Sequence, residues 1–209
     1  MPNREGSRRL LIATNNKGKI KELHDLLTDT GVELITPAQI ALDLDVVEDG
    51  ATYAENATKK AIAFAQASGL ISLADDSGLE VDALDGAPGL YSARYGSIDG
   101  AKLSDAGRRA VLIRNLKDQP RPWSARFHAT IVVAVPGGET HIAEGYCEGE
   151  IIPEEHGSGG FGYDPIFLLP DLGKTMAELS MEEKNRLSHR AKAVMSAKPV
   201  LERLFSESG

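Results

Sequence analysis

The sequence contains a single cysteine, Cys147, and no long apolar run. One cysteine excludes an intrachain disulfide and is typical of proteins of the reducing cytoplasm, where we expect this chain to act. No apolar run approaches the roughly 18 residues that a transmembrane helix needs, so we expect no membrane partner. The basic N-terminus leads into the apolar run LLIA, which is too short for the hydrophobic region of a signal peptide.

Positive charge is scarce. The 23 lysine and arginine residues stand against 31 aspartate and glutamate residues, which gives a net charge of −8 at pH 7. A protein that binds a nucleic-acid polymer needs a basic surface to displace counterions, and the basic clusters here, RR at 8–9 and KGKIK at 17–21, are short. The composition therefore argues against a nucleic-acid polymer as partner and leaves open a small phosphorylated ligand held by a few lysines.

The chain shows no low-complexity linker, heptad run or internal repeat, and we interpret residues 1–209 as a single domain. Strand and helix patterns occur together without strict alternation. This favours an α/β fold with an elongated mixed β-sheet flanked by helices, and we expect two lobes around a central cleft. The pattern also predicts two separate strands, LISLA and LEVDAL, on either side of DDSG, and a C-terminal helix that Pro199 kinks or splits.

The segment ATNNKGKIKE, residues 13–22, joins a predicted buried strand to a predicted amphipathic helix. A helix N-terminus presents free N–H groups to an anion, and Lys17 and Lys19 add positive charge in the same turn. The segment matches neither the Walker A pattern nor G-x-G-x-x-G. Two interpretations stay open at this point: a phosphate-binding loop, and an asparagine-rich connection with solvated lysines.

Acidic residues occur as two adjacent pairs, Glu48 with Asp49 and Asp75 with Asp76. Repulsion between neighbouring carboxylates needs a cation, a proton or a turn to offset it. We place Asp75 and Asp76 at the end of a strand, where sheet proteins bind ligands. Carboxylates without a histidine or cysteine cluster suit a hard cation such as Mg²⁺. The alternatives are a simple turn for the aspartates and a solvated surface position for Glu48.

The stretch GSGGFGYDPIF, residues 157–167, has four glycines within its first six residues. Glycines let a backbone approach a ligand closely, and an aromatic ring such as that of Phe161 offers a stacking face for a base. The alternative is a tight loop that packs its aromatic residues into the core. Further along, EEKNRLSHRAK places Lys184, His189 and Arg190 around a helix start, where a charged surface turn is the default interpretation.

Taken in order, these segments resemble the inosine triphosphatase family, and within it the bacterial dITP/XTP pyrophosphatases. The resemblance runs through TNNKGKIKEL, TYAENATKKA, ADDSGLEVDALDGAPGLYSARY, GGFGYDPIF and KNRLSHR, and covers nearly the whole chain. It implies Mg²⁺-dependent hydrolysis of deaminated purine nucleoside triphosphates (ITP, dITP and XTP) to the monophosphate and pyrophosphate, with Mn²⁺ as a second usable metal. It also implies a homodimer.

The resemblance also implies a role for each matching residue. It assigns contacts with the phosphates to Thr14, Asn15, Asn16, Lys17, Gly18, Lys19 and Lys60. It assigns metal binding to Glu48, Asp75 and Asp76, proton acceptance to Asp76, and a further substrate contact to Ser77. It assigns base binding to Phe161, Gly162, Tyr163 and Asp164, and closure over the purine to Lys184, His189 and Arg190.

The mechanism that follows needs no covalent intermediate. Asp76, or a water on its metal, accepts the proton of the water that attacks the α-phosphorus, and Lys19, Lys60 and Lys184 stabilise charge on the leaving pyrophosphate. Donors such as Arg190 or His189 suit the 6-oxo group of a deaminated purine, which adenine lacks. Three alternatives are a pyrophosphatase for another nucleotide, a non-catalytic nucleotide sensor and a phosphate-binding structural protein.

Overall fold

The computed structural model describes residues 8–97 and 101–206, and the N-terminal segment considered above for a signal peptide lies largely outside them. The strands are β1 (Arg9–Ile12), β2 (Glu33–Ile35), β3 (Ile71–Val81), β4 (Trp123–Ala134), β5 (Thr140–Ile151), β6 (Phe167–Leu169) and β7 (Lys174–Thr175). The helices are α1 (Lys17–Leu27), α2 (Tyr53–Ser68), α3 (Asp105–Leu116), α4 (Met181–Leu187) and α5 (His189–Ser206). Within the described ranges, none of these helices is both long and apolar enough to span a bilayer.

The strands form one sheet in the order β2-β1-β3-β4-β5-β6-β7. β1 pairs in parallel with β2 and β3, so that Leu11 lies opposite Ile35 on one side and Ser72 on the other. β6 pairs antiparallel with β5 and β7. The predicted α/β class with a mixed sheet is therefore confirmed. The elongated form, the two lobes and the central cleft stay predictions.

By internal contacts the chain divides into two compact units. The first unit comprises Met1–Asp76, Ala129–Gly145 and Arg190–Gly209, and the second comprises Ser77–His128 and Tyr146–His189. Each unit has its own cluster or clusters of buried apolar side chains. The single domain over residues 1–209 stays a prediction.

The strand β1 is buried on both faces, as its uninterrupted apolar run predicts. Leu10 and Ile12 pack into a cluster with residues of α1 and α5, whereas Leu11 faces a second cluster that includes Ala57 and Phe64 of α2. Because successive strand residues point to opposite faces, β1 holds both layers of the first unit together. The buried residues of β1 therefore hold the start of the following loop in place.

The strand β3 corrects the sequence-based prediction of two strands with DDSG between them. Ile71–Val81 is one continuous strand of 11 residues, so Asp75 and Asp76 lie inside it rather than at a turn or at its end. Turn-forming residue types predicted a break, but the two aspartates are buried and have cationic neighbours. Those cations offset the repulsion that a turn into solvent would otherwise relieve.

The helix α5 runs through Pro199 without interruption, so of the two predicted effects of Pro199 the split is wrong, and the kink stays a prediction. Proline removes one helical hydrogen bond, to the carbonyl group four residues earlier. That residue is Met195, and both Met195 and Pro199 are exposed. The carbonyl group that loses its helical partner is therefore at the solvated side of the helix.

Candidate active site

The loop between β1 and α1 is organised by its own polar side chains. Oδ1 of Asn16 accepts hydrogen bonds from the N–H groups of Gly18 at 2.9 Å and Lys19 at 3.1 Å, so Asn16 is the N-cap of α1. Oγ1 of Thr14 accepts a hydrogen bond from the N–H of Asn16 at 3.2 Å. This capping explains why the helix begins where the sequence pattern predicts it. The first turn of α1 therefore follows the buried strand β1 in a defined conformation.

Two lysines meet at one backbone oxygen. The Nζ atoms of Lys19 and Lys60 donate hydrogen bonds to the carbonyl oxygen of Asp75, at 3.2 Å and 3.0 Å. Lys60 also pairs with Glu48 at 2.9 Å and with Asp76 at 3.5 Å. One ammonium group therefore neighbours two of the three carboxylates, Glu48 and Asp76, to which the family resemblance assigns metal binding.

The adjacent aspartates have pKa values displaced in opposite directions. For Asp75, burial would raise the pKa of the carboxyl, but the Arg190 guanidinium and the Lys19 ammonium outweigh burial and hold the pKa well below its usual range. For Asp76, burial raises the pKa above its ordinary value, and Lys60 and Lys19 oppose that shift only in part. Neighbouring acids whose environments separate their pKa values are typical of sites that divide acid–base roles.

Arg190 is a buried ion-pair partner. Its guanidinium donates from Nε to Oδ2 of Asp75 at 2.7 Å and from Nη1 to Oε2 of Glu22, and the residue is only 2% exposed. Sequence reasoning missed Glu22. The helical spacing could have indicated it. Glu22 lies three residues after Lys19 and four before Leu26, which places it on the buried face of the amphipathic helix α1. The predicted contact of Arg190 with a purine stays a prediction.

In the second unit, Asp164 organises the glycine-rich loop. Its Oδ2 accepts hydrogen bonds from the N–H of Phe161 at 2.9 Å and from Nζ of Lys184 at 2.7 Å. The same Nζ lies 5.5 Å from the centroid of the Phe161 ring. A Cβ atom on Gly160 would lie 2.0 Å from Oδ2 of Asp164, and the φ angle of Gly160 is +70°. The loop conformation thus requires glycine at position 160.

Two other predicted base-binding residues pack inside the second unit. Tyr163 is buried and its hydroxyl donates to the carbonyl oxygen of Ser92 at 2.9 Å. Burial raises the pKa of this phenol well above its ordinary value, so the hydroxyl stays protonated. The ring of His189 stacks on Phe127 with centroids 4.7 Å apart and an interplanar angle of 17°. The buried position of Tyr163 favours a tight, packed loop, and the ring of His189 packs at the start of α5.

Comparison with known proteins identifies the family. A sequence model described as the Ham1 family matches residues 10–200. The chain belongs to the Ham1 family. It is 49% identical over 198 residues to a protein of Desulforamulus reducens named "dITP/XTP pyrophosphatase", covering 94% of this chain and 97% of that protein. A Thermus thermophilus protein of the same name is 48% identical over 189 residues, covering 89% of this chain and 88% of its own.

Solved structures of the Ham1 family have the same fold. The Staphylococcus aureus Ham1 protein matches with a TM-score of 0.79 at 39% identity, covering 96% of this chain and 100% of that one. A Coxiella burnetii HAM1 protein matches with a TM-score of 0.80 at 37% identity, covering 95% of this chain and 98% of that one. The family resemblance inferred from the sequence motifs is therefore confirmed.

The predicted site residues of this Ham1 family chain fall into two groups. In the first unit the structure brings together Lys19, Glu48, Lys60, Asp75, Asp76 and Arg190. In the second unit it brings together Phe161, Asp164 and Lys184, with Gly162 and Tyr163 in the same loop. Asn15 and Lys17 are exposed, and Ser77 is half-buried directly after Asp76 in β3. In the described ranges, no cluster of three or more histidine, cysteine, aspartate or glutamate side chains has metal-binding geometry.

Proposed function

We propose that this chain hydrolyses deaminated purine nucleoside triphosphates, dITP, XTP and ITP, to the nucleoside monophosphate and pyrophosphate. Relatives that share 46–49% of their residues with it over about nine-tenths of its length carry the name "dITP/XTP pyrophosphatase". The structural observation that carries the proposal is the position of Lys60. Its ammonium group lies against both Glu48 and Asp76, beside a second lysine that shares its carbonyl acceptor.

Asp76 is the proton acceptor in this proposal. Its pKa is raised by burial, which makes its carboxylate a stronger base than an exposed aspartate. The pKa of Asp75 is lowered instead, because Arg190 and Lys19 form ion pairs with its carboxylate and keep it charged. We therefore assign the proton of the attacking water to Asp76, and we assign to Asp75 the task of holding Lys19 and the strand in place.

In this proposal Lys60 and Lys19 bind the phosphates of the substrate. Burial lowers the pKa of Lys60, but Asp76 and Glu48 outweigh burial and raise it, so that the ammonium keeps its charge. Preorganised cations of this kind stabilise charge that develops on a leaving pyrophosphate. The loop at the start of α1, with Thr14, Asn16 and Lys19, is the remaining phosphate contact in the proposal. Because the Asn16 side chain already accepts from the N–H groups of Gly18 and Lys19, we assign the attraction for the phosphate to the Lys19 ammonium.

The carboxylates fit a magnesium ion. Mg²⁺ in phosphoryl-transfer sites is bound by one or two carboxylates together with substrate phosphates, rather than by an all-protein cage. Glu48 and Asp76 supply that number of carboxylates, and they share one ammonium neighbour. When bound, the ion would neutralise phosphate oxygens and help to orient the substrate. Mn²⁺, which takes the same oxygen ligands, is the second metal in the proposal.

The second unit supplies the contacts with the base. We assign stacking on the purine to Phe161, whose ring is partly exposed and lies near the Lys184 ammonium. His189 and loop N–H groups are the donors suited to a 6-oxo acceptor. A site that hydrogen-bonds this acceptor would reject adenine, because the donors would be left unpaired. The homodimer and the cytoplasmic location stay predictions.

The identity of the products tests the reaction type. Purified protein, dITP and Mg²⁺ are incubated, and the products are followed by ³¹P NMR from the first turnovers. We expect dIMP and pyrophosphate in equal amounts, with no inorganic phosphate. Formation of dIDP and inorganic phosphate would overturn the assignment of the α–β bond, and no reaction on dITP, XTP or ITP would overturn the proposed function.

A further inference from the structure

The backbone on both sides of Phe161 is tied to carboxylates. The N–H of Phe161 donates to Oδ2 of Asp164 at 2.9 Å. The next N–H along the chain, that of Gly162, donates to Oδ2 of Asp105 at 2.6 Å. These two N–H groups belong to the peptide planes that precede and follow Phe161. Since those planes define its φ and ψ angles, the two carboxylates together fix the direction in which the side chain leaves the backbone.

Arg109 holds the same loop from the other side of Gly162. Its Nη1 donates to the carbonyl oxygen of Gly162 at 2.8 Å, while Nε and Nη2 donate to the two carboxylate oxygens of Glu155 at 2.7 Å and 2.8 Å. The hydrogen bonds from Arg109 hold the pKa of Glu155 below its ordinary value. One guanidinium group thus connects the segment before the glycines with the segment after Phe161.

Asp105 is itself held in one orientation. It is the first residue of α3, after the N-cap Ser104, and its other oxygen, Oδ1, accepts a hydrogen bond from Nη2 of Arg108. Gly162 has a φ angle of +61°, a conformation that a residue with a side chain adopts rarely. Hydrogen bonds with a charged partner are about twice as strong as neutral ones. The contacts from α3 therefore stabilise a backbone conformation that would otherwise be one of several open to a glycine.

We propose that Asp105 and Arg109 are positioning residues that set the orientation in which Phe161 meets the purine base. This inference rests on the proposed function, in which the Phe161 ring stacks on the base. Neither residue is assigned a contact with the nucleotide. Their effect passes through the two peptide groups of Gly162, so it acts on recognition of the base and leaves Lys19, Lys60 and Asp76 unchanged.

The kinetic test compares three variants of the full chain: Asp105→Asn, Arg109→Met and Arg114→Met. Arg114 is an exposed arginine on the same helix and serves as the matched control. We expect Asp105→Asn and Arg109→Met to raise the KM for dITP by about tenfold or more, since small misplacements of a substrate-orienting group have effects of this size. We expect kcat to change little and the preference for dITP over dATP to fall. Arg109→Lys, which keeps one donor, should recover part of the loss.

A second measurement reports directly on the hydrogen bonding of the loop backbone. Hydrogen–deuterium exchange of a peptide covering residues 157–167 should be faster in Asp105→Asn and Arg109→Met than in Arg114→Met. An asparagine has one acceptor oxygen for the two donors that Asp105 serves, and a methionine has no donor for the carbonyl oxygen of Gly162. If the wild type hydrolyses dITP but the first two variants match Arg114→Met in KM, base preference and exchange, this inference alone is overturned. A wild type without activity on dITP, XTP or ITP would instead overturn the proposed function, and this inference with it.

Discussion

The guanidinium of Arg190 donates a hydrogen bond from Nε to Oδ2 of Asp75 at 2.7 Å, and both residues are buried. The main chain of the same aspartate accepts the two lysine hydrogen bonds, from Lys19 and Lys60. Asp75 thus connects a buried ion pair to the cationic group that we assign to the phosphates. The stability of the first unit and the geometry of its proposed site depend on the same residue.

Replacing Arg190 should destabilise the protein strongly. Arg190→Gln removes the guanidinium that Asp75 and Glu22 share and leaves Lys19 as the cation beside Asp75, and removing one partner of a buried ion pair typically costs about 3–5 kcal/mol. Urea unfolding followed by circular dichroism measures the loss. The matched control is Lys198→Gln on the same helix, whose partner Asp29 has a side chain 73% exposed. That variant should lose no more than about 1 kcal/mol, and equal losses in the two variants would contradict the account.

The cost of Arg190→Gln should also depend on pH. Because the folded-state pKa of Asp75 is lowered, its contribution to stability is complete above the ordinary aspartate pKa of about 3.9 and is lost as the pH falls through the lower folded-state value. Without Arg190, only Lys19 and Lys60 oppose the effect of burial, so the folded-state pKa of Asp75 is higher in the variant than in the wild type. The stability gap between wild type and variant should therefore be widest at neutral pH and shrink on acidification. Urea unfolding over a pH series with EDTA present checks this, and a gap independent of pH would contradict it.

Two adjacent lysines in α2 offer a matched pair for the phosphate assignment. Lys60 lies between Glu48 and Asp76, whereas the partner of Lys59 is Asp49, whose side chain is 69% exposed. Lys60→Gln should lower kcat/KM for dITP by about 10²–10³-fold, the usual effect of removing a group that stabilises developing charge. Lys59→Gln should stay within about twofold, as most surface substitutions do. Similar values for the two variants would remove Lys60 from the mechanism.

Local sequence signals predicted the beginning of the first unit well. The apolar run of β1 and the helical spacing of α1 are short-range features, and the structure confirms both of them. Short-range patterns suffice where the residues that decide the structure are close neighbours in sequence.

The same reasoning failed where distant residues decide the structure. The unbroken course of β3 depends on cations from Lys19, Lys60 and Arg190, which are far from Asp75 in the chain. Asp105 and Arg109 belong to α3, and the spacing of residues in that helix does not indicate its contacts with Gly162. A helical pattern indicates which residues are buried, whereas the peptide group that a polar side chain binds is set by the tertiary fold.

The most direct test of the proposed function is pyrophosphate release from dITP, XTP, dATP and dGTP with Mg²⁺, using wild type and Asp76→Asn. We expect efficient release from dITP and XTP, a kcat/KM for dATP lower by about 10² or more, and weak release from dGTP. Asp76→Asn should lose about 10²–10⁴-fold in rate while still binding dITP. Equal release from all four nucleotides would contradict the base assignment, and a wild-type rate in Asp76→Asn would contradict the catalytic one.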